Sequence, residues 1–292
     1  MLAAAGNASA PGHLAGRNCR LSLDEPLIMG VLNITPDSFS DGGRYDSLDA
    51  ARRQGARMLA EGADLIDIGG ESTRPGAPAV SETEELDRVL PVIEALRREI
   101  DIPLSIDTTK AAVARAAIAA GVDFVNDISG LHFDEKMAAT VSAGGAGLFV
   151  MHTRGRPERM QRNTGYGDLL GDILVYLRNS LERAMAAGIP EEKLAVDPGI
   201  GFGKDAAGNL EILRRLDELQ ALGRPILLGT SRKNFIGRVL GQSDPGQRLY
   251  GTLATVALGV ARGAHLFRVH EVRPAKETAR MAWAVCRGGF SQ

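Results

Sequence analysis

The stretch MGVLNITPDSFSDGG, residues 29–43, joins a short apolar run to a polar segment that contains Pro, Asp, Ser and two Gly residues. The apolar residues are consecutive and do not alternate with polar ones, which is typical of a strand buried on both faces in a parallel sheet. The run ends at Asn33, where the polar loop begins. A polar side chain at the end of a buried strand predicts that this end faces a functional site.

The same arrangement recurs along the chain. Apolar runs of strand length occupy residues 27–32, 65–68, 102–106, 124–128, 148–151, 194–196, 226–228 and 266–269. Helical patterns occupy residues 47–61, 81–99, 110–120, 135–142, 168–187, 210–220, 250–261 and 276–286. Eight strand–helix units within 292 residues predict an α/β fold, a single-domain (β/α)8 TIM barrel. A doubly wound open sheet is the alternative, and eight units favour closure.

Composition gives the expected domain boundaries. No linker or change of composition interrupts residues 20–290, so we expect one domain over residues 18–290. Residues 1–17 lack the basic and apolar regions of a signal peptide, and we expect them to form a flexible N-terminal tail. Within the domain, the sequence SETE at residues 81–84 predicts the capped start of a helix, and Gly121 predicts the end of another.

Charge and cysteine content argue against several classes of protein. The formal net charge of −2 predicts neither a nucleic-acid partner nor a membrane partner. No segment approaches the ~18 consecutive apolar residues of a membrane span. We expect Cys19 and Cys286 to be free thiols in a reducing compartment, and therefore a cytoplasmic location. No His/Cys cluster has the spacing of a zinc site.

Polar residues lie in the last part of every predicted strand or soon after it. They are Asn33, Asp67, Asp107, Asn126 with Asp127, His152, Asp197, Lys233, and Arg268 with His270. The carboxyl ends of barrel strands converge on one face, which is the usual place of catalysis. A helix cap would explain any one of these residues. It does not explain carboxylates, amides, a lysine, arginines and histidines on the same face.

Several of these side chains suit a polar heterocycle. Asp107, Asn126 and Asp197 can bind a ring edge that carries amino and ring N–H groups, as in a pterin or guanine. Lys233 can donate to a ring carbonyl. Arg268 can lie flat on the ring as a cation–π partner.

Other strand-end residues suit an anion. Asn33, Arg74 and His270 carry no negative charge, so they fit an anion or the Mg²⁺ bound to it. Mg²⁺ keeps several waters and binds substrate phosphates, so one neutral oxygen ligand from the protein is sufficient. The segment GIGFGK, residues 199–204, lacks the spacing of a phosphate-binding loop, and we interpret it as a turn and pocket wall.

Together with these residues, eight motifs resemble those of the dihydropteroate synthase family, folate-pathway enzymes of the pterin-binding barrel superfamily. The motifs are MGVLNITPDSFSDGG (29–43), IDIGGESTRPGA (66–77), SIDTTK (105–110), NDISG (126–130), MH (151–152), DPGIGFGK (197–204), LLGTSRKNFIG (227–237) and RVHEV (268–272). The resemblance implies an enzyme that condenses 6-hydroxymethyl-7,8-dihydropterin pyrophosphate with 4-aminobenzoate to 7,8-dihydropteroate and releases pyrophosphate. It also implies Mg²⁺ as the cofactor, a homodimer, and inhibition by sulfonamides, which mimic aminobenzoate.

The resemblance further implies a role for each site residue. The pterin would be bound by Asp107, Asn126, Asp197 and Lys233, lined by Met151, Phe202 and Gly229, and stacked on by Arg268. Mg²⁺ would be bound by Asn33, and pyrophosphate by Thr73, Arg74, Arg268 and His270. Aminobenzoate would lie against Phe39, Pro75 and Asn234. The expected catalytic residues are Asp41, Arg74, Lys233 and Arg268.

The resemblance also implies roles for the loop after Asn33 and for residue 234. Closure of the loop after Asn33 would bring Asp41 near the developing pterin methylene cation and Phe39 against the incoming arene, and it would exclude water. Asn234 departs from the family pattern, in which a Ser commonly helps to hold the aminobenzoate carboxylate. An Asn amide can donate to a carboxylate as well.

Two other functions are compatible with such a barrel. A methyltransferase domain that holds methyltetrahydrofolate shares the pterin-binding acids and amides, but it has no reason to keep Thr73, Arg74, Arg268 and His270 together. A non-catalytic paralogue that serves as a binding or scaffold protein does not need polar residues at every strand end. Turnover that depends on a pterin pyrophosphate separates the three functions.

Overall fold

A computed structural model describes residues 12–34, 44–74 and 76–289 of the chain. Its strands are β1 (His13–Ala15), β2 (Arg20–Ser22), β3 (Leu27–Asn33), β4 (Leu65–Gly69), β5 (Leu104–Asp107), β6 (Phe124–Asp127), β7 (Gly147–Met151), β8 (Leu194–Asp197), β9 (Leu227–Leu228) and β10 (Leu266–Val269). Consecutive strands pair in parallel from β3 to β8, and β10 pairs with both β3 and β9. A parallel bridge between Val196 and Ile226 places β8 beside β9 and closes the sheet. The predicted eight-stranded barrel is confirmed, and the open doubly wound sheet is wrong.

Helices surround the barrel. Those that the structure describes are α1 (Arg44–Ala60), α2 (Glu82–Glu99), α3 (Ala111–Ala120), α4 (Met137–Gly144), α5 (Leu169–Ala186), α6 (Ala206–Arg214), α7 (Asn234–Leu240), α8 (Leu249–Ala261) and α9 (Val272–Arg287). The predicted start of α2 is confirmed, because the Ser81 side chain accepts a hydrogen bond from the Glu84 amide. The predicted end of α3 is also confirmed, since Gly121 adopts the left-handed conformation that favours glycine.

Two helix predictions differ from the structure. Helix α7 has no counterpart in the predicted set, because its seven residues are too few to show a helical period. The helix predicted at residues 210–220 is divided: α6 begins earlier, where the Asp205 side chain caps the Gly208 amide, and a 3₁₀ turn covers Leu216–Leu222.

The strand residues alternate between two apolar environments. Ile28, Ile66 and Phe267 point outward and belong to the large cluster packed beneath the helices. Their neighbours along the strands, such as Leu65 and Leu266, point into the barrel and form a second cluster. Both faces of the barrel strands are therefore mostly buried, which explains why the apolar runs in the sequence do not alternate.

An N-terminal hairpin covers the amino-terminal end of the barrel. Strands β1 and β2 pair antiparallel, and the Arg17 amide donates to the Asp123 carbonyl at the start of β6. Leu14 is 1% exposed and packs into the interior cluster beside Phe124. The flexible tail predicted for residues 1–17 is therefore wrong for residues 12–17, which form part of this hairpin. The sequence does not show this because Leu14 becomes buried only by contact with the folded barrel.

The helices and cysteines of the described ranges bear on the membrane and disulfide predictions. None of the helices in these ranges is both long and apolar enough to cross a membrane. Cys19 and Cys286 are both free, as the sequence predicts.

Candidate active site

The carboxyl ends of β4, β5, β6 and β10 meet around one guanidinium group. Arg268 donates from Nε to Asp67 Oδ2 over 2.6 Å and from Nη2 to Asp107 Oδ2 over 2.8 Å. Asn126 donates from Nδ2 to the same Asp67 Oδ2 over 2.9 Å. Asp67, Asp107 and Asn126 are buried. The structure therefore brings together three of the predicted pterin-binding residues, and it adds Asp67 to them.

The Asp107 carboxyl group has unusual electrostatics. Burial raises its pKa to about 7; the nearby Asp67, Glu85 and Asp127 add to the rise, and Arg268 opposes it. One guanidinium serves two buried carboxylates, so neither receives a full counter-charge. Near neutral pH, Asp107 can accept or release a proton while it holds a ligand.

A second set of predicted residues lies around Asp197 and Lys233. Asp197 Oδ1 accepts a hydrogen bond of 2.6 Å from the Gly199 amide, yet burial raises the pKa of this carboxyl to about 6. Burial and the charge of Arg268 lower the pKa of Lys233 to about 8. A Cβ placed on Gly229 would lie 3.8 Å from Arg268 Cβ and 4.0 Å from Asp197 Oδ2. The lack of a side chain at residue 229 thus leaves room for a flat ligand.

An apolar wall completes this part of the site. Met151 and Phe202 pack together with Ile128 and Met160 in a small separate cluster. Lys233 Nζ lies 4.2 Å from the centre of the Phe202 ring. A flat ring can therefore contact apolar side chains on one face while its edge meets polar groups.

Three of the four residues predicted to bind pyrophosphate, Thr73, Arg74 and His270, are more exposed than the buried carboxylates, and the fourth, Arg268, lies between those carboxylates. Thr73 is half-buried and Arg74 is exposed. His270 Nδ1 lies 2.9 Å from Ser231 Oγ, and the same Oγ accepts the His270 amide. Burial and then the charge of Arg232 lower the pKa of His270 to about 3, so the imidazole is neutral. If Ser231 donates to Nδ1, the proton of His270 lies on Nε2, where it can be donated to an anion.

Asn234 is exposed, but its amide is oriented. Its Oδ1 accepts a hydrogen bond of 2.9 Å from Arg248 Nη1. The buried Arg248 side chain also donates to the carbonyls of Arg232 and Ser243. With Oδ1 directed to Arg248, Nδ2 is the group that Asn234 offers to a carboxylate. Phe39, Asp41 and Pro75 lie outside the described residues.

Lys204 is a further buried residue, and it is not among the predicted site residues. Its Nζ lies 2.8 Å from His152 Nδ1 and donates to the carbonyls of Gly199 and Phe202, both over 2.9 Å. Burial and the charge of Lys204 lower the pKa of His152 to about 2. Lys204 thus ties the loop after β8 to the end of β7. This lysine anchors the segment 199–204, and the role of that segment as a pocket wall stays a prediction.

The loop after β4 is anchored by an ionic network. Lys110 pairs with both Glu71 and the fully buried Glu85. Glu71 Oε1 also accepts the Val80 amide over 3.2 Å, which closes the loop on itself. A cavity of about 400 Å³ lies between this network and the loops after β5, β6 and β7, and its lining includes Thr73 and Asp107. Isolated glutamates carry little sequence signal, so this network was not predicted.

The residues present fit a weakly held Mg²⁺. Within the described ranges, no group of three or more His, Cys, Asp or Glu side chains could hold a metal ion. Asn33 has a neutral side-chain oxygen at the end of β3. This oxygen lies beside Gly69 of the neighbouring strand, where an added Cβ would be 3.4 Å from Asn33 Oδ1. Such a site suits Mg²⁺ that is bound mainly by phosphate oxygens and water.

Comparisons of the whole chain with known proteins give concordant matches. The family model described as pterin binding enzyme matches residues 29–270. The dihydropteroate synthase of a Synechocystis strain is 49% identical over 260 residues, which cover 89% of this chain and 90% of the relative. A crystal structure of Clostridium difficile dihydropteroate synthase in the presence of pteroic acid is 48% identical, with a TM-score of 0.86 over 90% of this chain and 98% of that one. The structure of Xanthomonas albilineans dihydropteroate synthase with 4-aminobenzoic acid is 42% identical, with a TM-score of 0.88 over 94% of this chain and 98% of that one.

The chain therefore belongs to the pterin-binding enzymes and, among them, to the dihydropteroate synthase family. Its activity is the transfer of a pterin-methyl group: it condenses 6-hydroxymethyl-7,8-dihydropterin pyrophosphate with 4-aminobenzoate to 7,8-dihydropteroate and releases pyrophosphate.

Proposed function

We propose that the carboxyl end of the barrel carries out this reaction through two groups of residues, one for the pterin and one for the leaving pyrophosphate. The observation that carries the proposal is the convergence of Asp107, Asn126 and Asp197 with Lys233 and Arg268 at the strand ends. Carboxylate and amide oxygens suit the amino and ring N–H groups of a pterin, and Lys233 suits its carbonyl oxygen.

Arg268 has a second role in this proposal. Its two hydrogen bonds to Asp67 and Asp107 lie in the plane of the guanidinium, so the face of the group stays available to stack on the pterin ring. Its charge also favours departure of the pyrophosphate. The amine nitrogen of aminobenzoate forms the new bond to the pterin methylene carbon and loses a proton, while the carbon–oxygen bond to pyrophosphate breaks.

The leaving group would be held by residues on the rim. Thr73, Arg74 and the neutral His270 can donate to its oxygens, and Asn33 would bind the Mg²⁺ that accompanies it. When bound, Mg²⁺ supplies charge neutralisation for the departing pyrophosphate. Asp41 and Phe39 are proposed, from the family resemblance, to approach the reacting methylene and the arene as their loop closes.

The aminobenzoate carboxylate would meet Asn234 Nδ2. Arg248 directs the other end of this amide away, so an Asn can supply the donor that a Ser commonly supplies in the family. Pro75 is proposed as an apolar contact for the same substrate. Sulfonamides should compete at this position because they mimic aminobenzoate.

A homodimer is the proposed assembly. Exposed apolar side chains lie on three helices that follow one another in the chain, α7, α8 and α9. They are Val239, Leu240, Tyr250, Leu258, Met281 and Val285. Tyr250 is 82% exposed, and burial of such side chains favours association. A cytoplasmic location is proposed because both cysteines are free.

The test is pyrophosphate release by the purified protein, given dihydropterin pyrophosphate and Mg²⁺, with and without 4-aminobenzoate. We expect release that depends on aminobenzoate and yields dihydropteroate in equal amount. Arg268→Met should abolish it, while the exposed Arg280→Met on α9 should not. Pterin binding without turnover in the wild-type protein would overturn the proposal.

A further inference from the structure

Asp67 lies in the middle of β4 and points into the barrel, where its side chain is fully buried. One oxygen, Oδ2, accepts hydrogen bonds from both Arg268 Nε and Asn126 Nδ2. The other oxygen, Oδ1, is buried and makes no hydrogen bond within the described residues. A buried carboxylate with an unbonded oxygen is costly, so such a residue is expected to have a specific purpose.

The contact with Asp67 decides how the Asn126 amide is turned. A carboxylate only accepts hydrogen bonds, so the amide must direct an N–H of Nδ2 toward it. Asn126 Oδ1 and the second N–H of Nδ2 are left for a ligand, and their order is set. An acceptor beside a donor matches a ring edge on which an exocyclic amine lies next to a ring nitrogen. The reversed amide would place like groups opposite each other.

The same oxygen also orients Arg268. Asp67 holds Nε and Asp107 holds Nη2, so the guanidinium is fixed at two points across the barrel. Loss of the Asp67 contact would leave Arg268 free to rotate about Asp107. The stacking face of Arg268 and the amide edge of Asn126 would then both lose their orientation.

We propose that Asp67 is a positioning residue that sets the donor–acceptor order of Asn126 and the plane of Arg268 for the heterocyclic ring. This inference rests on the proposed function only in taking that ring to be a pterin. Asp67 itself need not touch the ring, because it acts through these two side chains.

The first test is Asp67→Asn, which keeps size and shape but replaces an acceptor with an amide that can donate. Asn126 can then turn its Oδ1 toward residue 67. We expect the Kd for 6-hydroxymethylpterin, measured by calorimetry, to rise roughly 10- to 100-fold, as when a charge-assisted hydrogen bond is lost. In turnover, the KM for dihydropterin pyrophosphate should rise by a similar factor, and the KM for aminobenzoate should stay within about 3-fold.

Ser105→Ala is the matched control. Ser105 pairs with Asp67 in the strand register, is equally buried, and has an Oγ without a hydrogen-bond partner in the described part of the chain. Removal of this hydroxyl changes the same layer of the barrel without touching Asn126 or Arg268. We expect pterin affinity to stay within about 2-fold of the wild type.

A swap variant separates positioning from simple stabilisation. Asp67→Asn combined with Asn126→Asp keeps the net charge and allows the same hydrogen bond with donor and acceptor exchanged. If Asp67 positions Asn126, the swap restores the midpoint of thermal unfolding toward the wild-type value but leaves pterin affinity low. Restoration of both, or an unchanged Kd in Asp67→Asn, would overturn the proposal. Calorimetry with the pterin alone does not require turnover, so a failure of the proposed reaction remains distinguishable.

Discussion

The two ends of the barrel interior differ sharply although the same strands build them. Leu65, Phe124 and Leu266 lie in the apolar cluster that the N-terminal hairpin covers. Two residues further along the same strands are Asp67, Asn126 and Arg268, which form the hydrogen-bonded centre of the site. One step of the strand repeat therefore separates a dry core from a charged pocket.

The two ends of the barrel are stabilised by different interactions. The amino-terminal end is stabilised by burial of apolar surface, worth about 25 cal/mol per Å². At the carboxyl end, desolvation of charged groups is offset only by pairing among them, and the pKa of Asp107 and that of Asp197 both rise. A ligand whose groups pair with these carboxyls further offsets the cost of their burial.

The largest effect is expected when the centre of the charged end is broken. Arg268→Met leaves Asp67 and Asp107 without their cation and removes the group that we propose contacts both the pterin and the pyrophosphate. We expect kcat/KM to fall at least about 1,000-fold, which corresponds to ~4 kcal/mol of transition-state stabilisation. Initial rates of pyrophosphate release measure this. A loss below about 10-fold would show that the charged centre is not needed for the reaction.

The opposite end should respond in stability and not in chemistry. Phe124→Ala opens a cavity in the interior cluster and should lower the free energy of unfolding by about 3–5 kcal/mol. Urea denaturation measures this, with the half-exposed Leu59→Ala as the control expected within about 1 kcal/mol. At a temperature where the variant is folded, kcat/KM should stay within about 2-fold. A large loss of activity in the folded variant would mean that the two ends are coupled.

The pH dependence of stability should sharpen the contrast. In the folded chain the pKa of Asp107 is about 7 and that of Asp197 about 6, above the usual value of 3.8. Between pH 4 and 7 the folded state therefore keeps protons that the unfolded state releases. The contribution of these two carboxyls to the free energy of unfolding should thus fall with rising pH across this window, while the neutral His152 and His270, whose pKa values are lowered, contribute in the opposite direction below pH 6.5.

Asp107→Asn provides the comparison for this pH effect, because the amide does not titrate. Urea denaturation at several pH values from 4 to 8 measures the free energy of unfolding of both proteins, and the wild-type value minus the variant value should fall as the pH rises from 4 to 7. Equal slopes in the two proteins would show that Asp107 does not retain its proton in this range.

The smallest effect is expected at the exposed rim of the charged end. Asn234→Ser keeps a donor for the aminobenzoate carboxylate, and Arg248 keeps its bonds to the carbonyls of Arg232 and Ser243. We expect the KM for aminobenzoate to change by about 3-fold or less. Asn234→Ala, which has no donor, should raise this KM about 10-fold. If Ala matches Ser, the side chain at residue 234 does not contact the carboxylate.

Much of the fold could be predicted from local patterns. Each buried run from β3 to β10 shows itself within a few residues, and the Ser81 cap and Gly121 depend only on neighbouring residues. The hairpin at β1 and β2 could not be predicted, since Leu14 becomes a core residue only through contact with a distant strand. Helix α7 was missed because it is short.

By itself, the sequence determined the eight units, the apolar strands and the polar types of residue at their ends, because strand period, turn residues and motifs are encoded locally. Which of those side chains contact one another depends on the tertiary structure. Asp67 and Arg268 lie 201 residues apart and bond only because the barrel closes. Likewise, the direction of the Asn126 amide depends on Asp67 of another strand, and the contact of Lys204 with His152 joins two distant parts of the chain. The geometry of these contacts between strands is a property of the assembled barrel, since their donors and acceptors lie in different segments of the chain.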